Sequence, residues 1–265
     1  MTAGAGTRTR KVEGLRVGVL YPDLLNIYAD RGNLLFLQRR CEWRSLAFEI
    51  TRVGIGDRLD PESVDMVYIG GGQDRDQELC AEDLALSQRP ALVELIAAGR
   101  PLLAVCGGYQ LLGRGYETDH GFLPGAAVAG LTTRRVDGPR LVGPCAIRTG
   151  LGGPADGVLA GFENHAGRTT LDDPATALGQ VLSGQGNDGR DGTEGFISGA
   201  VVGTYLHGPL LPKNWWFADW LLATALGRAP EDLRQLDDRL ERAAHAEALG
   251  AARAHATKRQ GRRGE

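Results

Sequence analysis

The sequence predicts an α/β fold, a mostly parallel sheet flanked by helices with further helices at the C-terminal end, and three observations carry that prediction. In the first 112 residues short apolar runs alternate with longer stretches at helical spacing, the order that builds parallel strands covered by helices. Two of these runs stop at glycine turns, Ile69 before Gly70, Gly71 and Gly72, and Val105 before Cys106, Gly107 and Gly108. Functional groups in such sheets gather at the carboxyl ends of the strands. The third observation is the apolar, helically spaced sequence that follows Pro212.

The elements follow in order. Leu15 to Tyr21 reads as a first strand, closed by Pro22. Asn33 is suited to cap a helix that carries Leu34, Leu37 and Cys41 on one face. Phe48 and Ile50 mark a second strand and Val64 to Ile69 a third. Asp74 to Ala98 is helix-like, broken at Pro90, and leads to the strand before Cys106. Beyond Gly115 the pattern changes: Thr132 to Arg148, Leu178 to Ser183 and Gly195 to Tyr205 favour strands, with glycine-rich turns between them, so a partly antiparallel section is expected. Pro212 opens a helix through Trp216, Trp220 and Leu221 to Gly227, and Pro230 opens another with Leu233, Leu236, Leu240 and Ala244 on one side. The expected organisation is a flexible N-terminus at 1–13, one domain at 14–211, C-terminal helices at 212–256 and a basic, solvated tail at 257–265. Attraction of that tail to an anionic membrane surface is the alternative reading.

Composition narrows the function. The 265 residues are 42 % hydrophobic and 24 % charged with a net charge of −3, which suits a folded soluble domain and gives no electrostatic reason to expect nucleic acid. No apolar run approaches the length that spans a bilayer, and the first residues lack a signal-peptide core, so a cytoplasmic protein is expected. Cys41, Cys80, Cys106 and Cys145 are scattered without a C-x-x-C pair, which suggests neither a zinc site nor a disulfide framework. There are only three lysines, Lys11, Lys213 and Lys258, none in a phosphate-binding loop, so ATP chemistry is not expected in this chain. Gly186 to Gly192 superficially resembles a calcium loop and reads as an exposed turn.

Cys106 is the candidate nucleophile. A strand that stops at Cys-Gly-Gly before a new helix turns sharply enough to project the side chain from a corner, and the unpaired N–H groups of a helix N-terminus favour a thiolate. The competing reading is a buried cysteine that packs as a small hydrophobe. Hydrolysis at a thiol also needs a base. His120 and His165 read as loop residues, and His245 and His255 fall in a polar helical region. His207 follows the apolar strand Ala200 to Leu206 and precedes Gly208 and Pro209, which places it at a strand end. It is therefore favoured as the base, with His165 the second candidate or else a loop support. Backbone donors for an oxyanion would come from the Gly71 region and from Gly107.

These residues together resemble the class I glutamine amidotransferases of the cobyric-acid-synthase type. Within that family the similarity is closest to the glutaminase subunits that serve lipid II isoglutaminyl synthesis. It runs from about Leu20 to Asp219 and rests on Tyr21 to Asn33, Ile69 to Asp74, Cys106 to Gln110, Gly161 to Thr169 and Gly203 to Asn214. The resemblance implies a flavodoxin-like sheet, Cys106 as nucleophile, His207 as general base and acid, and Gly71 with Gly107 as oxyanion donors. It further implies that Arg140, in Gly138 to Gly143, binds the glutamine substrate; a guanidinium suits an α-carboxylate because it can make two parallel hydrogen bonds. No cofactor is implied for this chain. ATP and magnesium are expected in a MurT-type, Mur-ligase-like partner subunit, which would pass the ammonia to the D-glutamate of the lipid II stem peptide. Other readings are an amidotransferase for another acceptor, such as a corrinoid, and a silent subunit that only stabilises a ligase. One departure stands out. Many family members carry a glutamate two residues after the histidine, and here that position is Pro209. The site is then either a dyad or is completed by an acid from elsewhere, another chain included.

Overall fold

The computed structural model describes residues 13–26 and 31–263. The expected flexible segment 1–13 lies outside these residues apart from Glu13, as do 264–265 at the end of the expected tail. The chain opens with β1 (Gly14–Leu20), α1 (Arg31–Glu42), β2 (Ala47–Val53), β3 (Met66–Ile69), α2 (Asp74–Asp83), α3 (Arg89–Ala97), β4 (Leu102–Val105) and α4 (Gly107–Leu112). It then runs through β5 (Gly115–Thr118), β6 (Gly121–Pro124), β7 (Leu131–Arg135), β8 (Leu141–Thr149), β9 (Val158–His165), β10 (Gly167–Leu171), β11 (Gly179–Ser183), β12 (Thr193–Glu194), β13 (Phe196–Ser198) and β14 (Val201–Thr204). The last elements are α5 (Leu210–Lys213), α6 (Trp215–Ala225) and α7 (Arg239–Arg263).

Six strands form the main sheet in the order β13-β14-β4-β3-β1-β2. Only the β13 edge is antiparallel. Every residue of β3, β4 and β14 is buried, as expected of parallel strands covered on both faces. This continuous apolar character is why their runs read as strands without alternation. The sequence between β4 and β13 folds into two four-stranded sheets, β10-β7-β5-β6 and β12-β11-β8-β9. The partly antiparallel section is thus present, with β5, β6, β9, β10 and β12 beyond the strands read from sequence. The last stretch, Gly195 to Tyr205, returns to the main sheet as β13 and β14.

Four local expectations are corrected. Asn33 does not cap α1 but lies inside it, where its buried amide donates to Tyr68 Oη at 3.0 Å and accepts from Leu211 N at 2.8 Å. It ties the helix to the sheet and to the C-terminal region. Pro90 does not break the helical run, because a π-turn at Leu84–Gln88 joins α2 to α3 and places the proline in the first turn of α3, where its missing N–H is not needed. The last helix starts at Arg239 instead of Pro230. Pro230–Asp232 makes a single 3-10 turn, and Leu240 is 82 % exposed while the buried positions of α7 include His245 and Ala252. The chain between turn and helix is extended because Arg40, fully buried, holds both Asp219 and Asp238, and Arg44 reaches Asp219 at 2.8 Å and the Arg234 carbonyl at 3.0 Å. Finally, α7 continues to Arg263, past residue 257 where the solvated tail was expected; no proline lies between Arg239 and Arg263 to stop it. Among the described residues no helix is long and apolar enough to cross a membrane.

Candidate active site

Cys106 occupies the junction of β4 and α4 with φ 51° and ψ −107°, a left-handed conformation that costs a non-glycine residue free energy and persists only when its surroundings enforce it. Three backbone hydrogen bonds do so. Cys106 N donates to the Thr204 carbonyl at 2.8 Å, Gln110 N to the Cys106 carbonyl at 3.0 Å, and Gly108 N to the Gly70 carbonyl at 3.1 Å. The close approach explains the glycine at 108, since a Cβ there would sit 2.7 Å from Ile69 Cγ2 and 2.8 Å from the Gly70 oxygen. The strand-to-helix corner read from the sequence is therefore present, and the thiol faces a cleft.

That cleft is about 750 Å³, open solvent at its mouth included, and Cys106 shares it with Gly72, Gln77, Gln110, Arg140 and His165. The other three cysteines are fully buried. Burial pushes the thiols of Cys41 and Cys80 up to about 12 and that of Cys145 well above its ordinary value, which leaves them protonated and inert. Arg140 stands exposed at the rim, its Nε donating to Asn164 Oδ1 and its Nη2 to the Asn164 carbonyl, both at 2.8 Å. The guanidinium is thereby oriented while the rest of its fork remains available to a ligand.

His207 follows β14, which pairs with β4 through Thr204 and Val105. The two neighbouring strands deliver His207 and Cys106 to the same sheet edge. A backbone bridge fixes the histidine: its N–H donates to the Phe162 carbonyl at 2.9 Å, and Phe162 N donates to the His207 carbonyl at 3.2 Å. His207 is buried and is not among the residues lining the cleft. Of the triple glycine, the residue lining the cleft is Gly72, whose backbone N is 2.9 Å from where a Cβ on Gly107 would stand; Gly71 is buried and does not line it.

His165 corrects the sequence reading, because it ends β9 and is not a loop residue. Its Nδ1 lies 2.8 Å from the Gly167 carbonyl, and its ring stacks on Tyr205 with centroids 3.5 Å apart and planes 3° apart. Burial pulls its pKa down to about 3, so it is neutral at working pH and cannot serve as the base. This leaves His207 as the candidate. His245 is likewise buried and not solvated, its Nδ1 2.8 Å from the Lys213 carbonyl and its ring edge-on to Trp215.

Sequence reasoning missed Glu194, Asn164 and Gln77. Glu194 is fully buried, accepting from Tyr205 N at 2.6 Å and from Thr204 Oγ1 at 3.0 Å on each oxygen. Burial raises its pKa to about 8, against the lowering effect of those bonds and of positive charge at His207. It braces the two residues that immediately precede Leu206 and His207. Nothing local marked it, since a two-residue strand between glycines carries no periodicity. Asn164 could have been found through its place beside His165 in the Phe162-Glu163-Asn164-His165 stretch. Among the described residues no cluster of three or more His, Cys, Asp or Glu is arranged to hold a metal ion.

Comparison with known proteins bears on this arrangement. The model of the CobB/CobQ-like glutamine amidotransferase domain matches residues 16–215. The chain is 37 % identical over 222 residues to the glutamine-hydrolysing lipid II isoglutaminyl synthase subunit GatD of Staphylococcus aureus, covering 83 % of this chain and 88 % of that protein. It is 36 % identical over 213 residues to GatD of Streptococcus pneumoniae, 80 % of each. A cobyric acid synthase from Nocardia farcinica matches at 32 % over 175 residues, which is 61 % of this chain and 31 % of that protein. Among solved structures, a glutamine amidotransferase from Thermotoga maritima superposes with a TM-score of 0.51 at 19 % identity, covering 91 % of this chain and 96 % of that one, a likeness of fold.

Proposed function

Since the chain belongs to the CobB/CobQ-like glutamine amidotransferases, we propose that it is the glutamine-hydrolysing subunit of a lipid II isoglutaminyl synthase. The observation that carries this reading is the strained Cys106 corner opening into the same cleft as Arg140, in a chain similar to two GatD subunits over four-fifths or more of each length.

Arg140 holds the α-carboxylate of L-glutamine at the rim, which extends the side-chain amide toward Cys106. Sγ attacks the amide carbon, and the negative charge that develops on oxygen is met by backbone N–H groups of Gly107 and of the Gly71–Gly72 turn. His207 takes up the thiol proton and returns it to the leaving nitrogen, so ammonia departs and a glutamyl thioester remains. Water, deprotonated by the same imidazole, cleaves the thioester to glutamate and restores the thiol. Two features suit Cys106 to this task beyond its position: the other thiols are shut away from water, and the glycine turns bring backbone donors close without side chains in between.

The ammonia goes to a MurT-type ligase subunit that would bind ATP and magnesium to activate the α-carboxylate of D-glutamate in the lipid II stem peptide, so that this residue becomes D-isoglutamine within the peptide. Pro209 stands where many relatives carry the carboxylate that orients the histidine, and the nearby Glu194 has its oxygens occupied by Thr204 and Tyr205. The partner supplies that carboxylate. The test is glutamate release by the chain alone and by the complex, with each interface Asp and Glu of the partner changed in turn to Asn or Gln. Stimulation by the partner, lost with one carboxylate, is expected. Full activity of the isolated chain would overturn the shared site, and absence of glutamine hydrolysis in both would overturn the glutaminase reading.

A further inference from the structure

Two buried hydrogen-bond acceptors in the cleft have no partner among the described residues: Nε2 of His165 and Oε1 of Gln77. Each residue is only 1 % exposed, and both line the cleft beside Cys106. Buried unpaired acceptors are costly, so a site that keeps two of them recovers the cost when a donor arrives.

The chemical character of both atoms is fixed by their surroundings. A carbonyl oxygen only accepts, so the contact with Gly167 assigns the proton of His165 to Nδ1 and leaves a lone pair on Nε2. The stack on Tyr205 holds the ring in place, and the imidazole stays neutral because burial keeps its pKa near about 3. Gln77 Nε2 donates to Gln110 Oε1 at 3.0 Å and to the Gly72 carbonyl at 3.4 Å, and this turns Oε1 the other way. Both side chains belong to residues that line the cleft with Cys106. The Gln77 side chain lies 3.1 Å from where a Cβ on Gly107 would be, and Tyr205, under the His165 ring, is the residue after the Thr204 carbonyl that binds Cys106 N. Arg140, the carboxylate anchor, is held instead by Asn164.

We propose that His165 and Gln77 read the side-chain amide of the substrate, accepting its N–H donors beside Cys106, and so distinguish glutamine from glutamate. The inference rests on the glutaminase reading above and extends it to specificity. The amide nitrogen of glutamine offers two N–H groups. The product carries a carboxylate in the same place, which can only accept; two lone pairs then face two oxygens, and both buried acceptors stay unpaired. The site binds substrate and sheds product by the same two atoms.

The test uses the full chain with its ligase-like partner. His165→Phe keeps a flat ring over Tyr205 and removes Nε2; Gln77→Met keeps length and removes Oε1. The readouts are KM and kcat for L-glutamine and the inhibition constant of L-glutamate. Each variant is expected to raise KM about fivefold, the loss of one hydrogen bond, while glutamate inhibition stays the same or tightens. The ratio of the two constants then falls about fivefold or more, to the same extent across the pH range in which His165 is uncharged. Equal rises in both constants would mean that the acceptors serve the α-ammonium group, which substrate and product share, and would overturn the proposal. Unchanged constants would overturn it too. If His165→Phe does not fold, Gln77→Met decides, with glutamine and glutamate affinities measured by calorimetry in a Cys106→Ala background. Wild-type protein that hydrolyses no glutamine would instead remove the glutaminase reading on which the inference stands.

Discussion

Replacing Arg140 with alanine separates binding from folding, because the residue is exposed and both its side-chain hydrogen bonds run to one neighbour, Asn164. Surface changes of this kind alter stability by about 0.5 kcal/mol or less, so the melting temperature should stay within a degree or two of wild type. The effect on substrate is larger. A hydrogen bond to a charged group contributes about 1.5–3 kcal/mol, and about 1.4 kcal/mol is tenfold in an equilibrium constant. Arg140→Ala should therefore raise KM for glutamine by roughly 10- to 100-fold, with a smaller fall in kcat because the carboxylate is remote from the reacting carbon. Arg140→Lys should recover little, since one ammonium cannot keep both Asn164 contacts and also grip a carboxylate in two places. Asn164→Ala should give a weaker version of the same defect by releasing the guanidinium. The assay is steady-state glutamate release over a wide glutamine range, with melting curves for each variant. A KM within twofold of wild type would refute the carboxylate-anchor role, and a loss of activity that tracks a fall in melting temperature would show that Arg140 acts through stability.

Two further predictions probe the corner and the buried acid. Gly108→Ala should cut kcat by about 100-fold, because a Cβ 2.7 Å from Ile69 Cγ2 and 2.8 Å from the Gly70 oxygen must push the Cys106 corner aside, and displacement of about 1 Å has a cost of that order; near-normal kcat would show that the corner is not held by this contact. For Glu194, the folded state binds a proton more tightly than the unfolded state, with a pKa of about 8 against the ordinary glutamate value of 4.5. Its contribution is therefore present below the unfolded value and is lost as pH rises toward about 8. Glu194→Gln cannot ionise, so the stability difference, variant minus wild type, should climb between pH 5 and 8 and level off above; parallel curves of melting temperature against pH would contradict the raised pKa.

What the sequence made legible follows from range. The Cys106 corner depends on a few consecutive residues, an apolar run and two glycines, and it was readable from them; so were β3 and β4, whose continuous apolar character is local. His207 was readable as a strand end, and the structure adds a second reason for preferring it to His165 as the candidate base. Strand position favoured His207, whereas the structure disfavours His165 by burying it with a fixed tautomer at the end of β9. Glu194 and Gln77 were not legible because their significance lies in partners distant in sequence or in a bond left unmade. The misplaced start of the last helix has the same origin. Local propensity after Pro230 favours a helix, but the buried Arg40 on α1 binds Asp219 and Asp238, and a contact across nearly two hundred residues leaves no local trace.

The central claim is that one thiol carries glutamine hydrolysis, and the most direct measurement is covalent trapping. The protein with its partner is treated with a glutamine-analogue electrophile and mapped by peptide mass spectrometry, alongside glutamate release by the four single cysteine variants. The account predicts one label, on Cys106, blocked by glutamine, with turnover abolished in Cys106→Ala and retained when Cys41, Cys80 or Cys145 is replaced by alanine. A glutamine-protected label on any of those three, or glutamate release at the wild-type rate by Cys106→Ala, would contradict it.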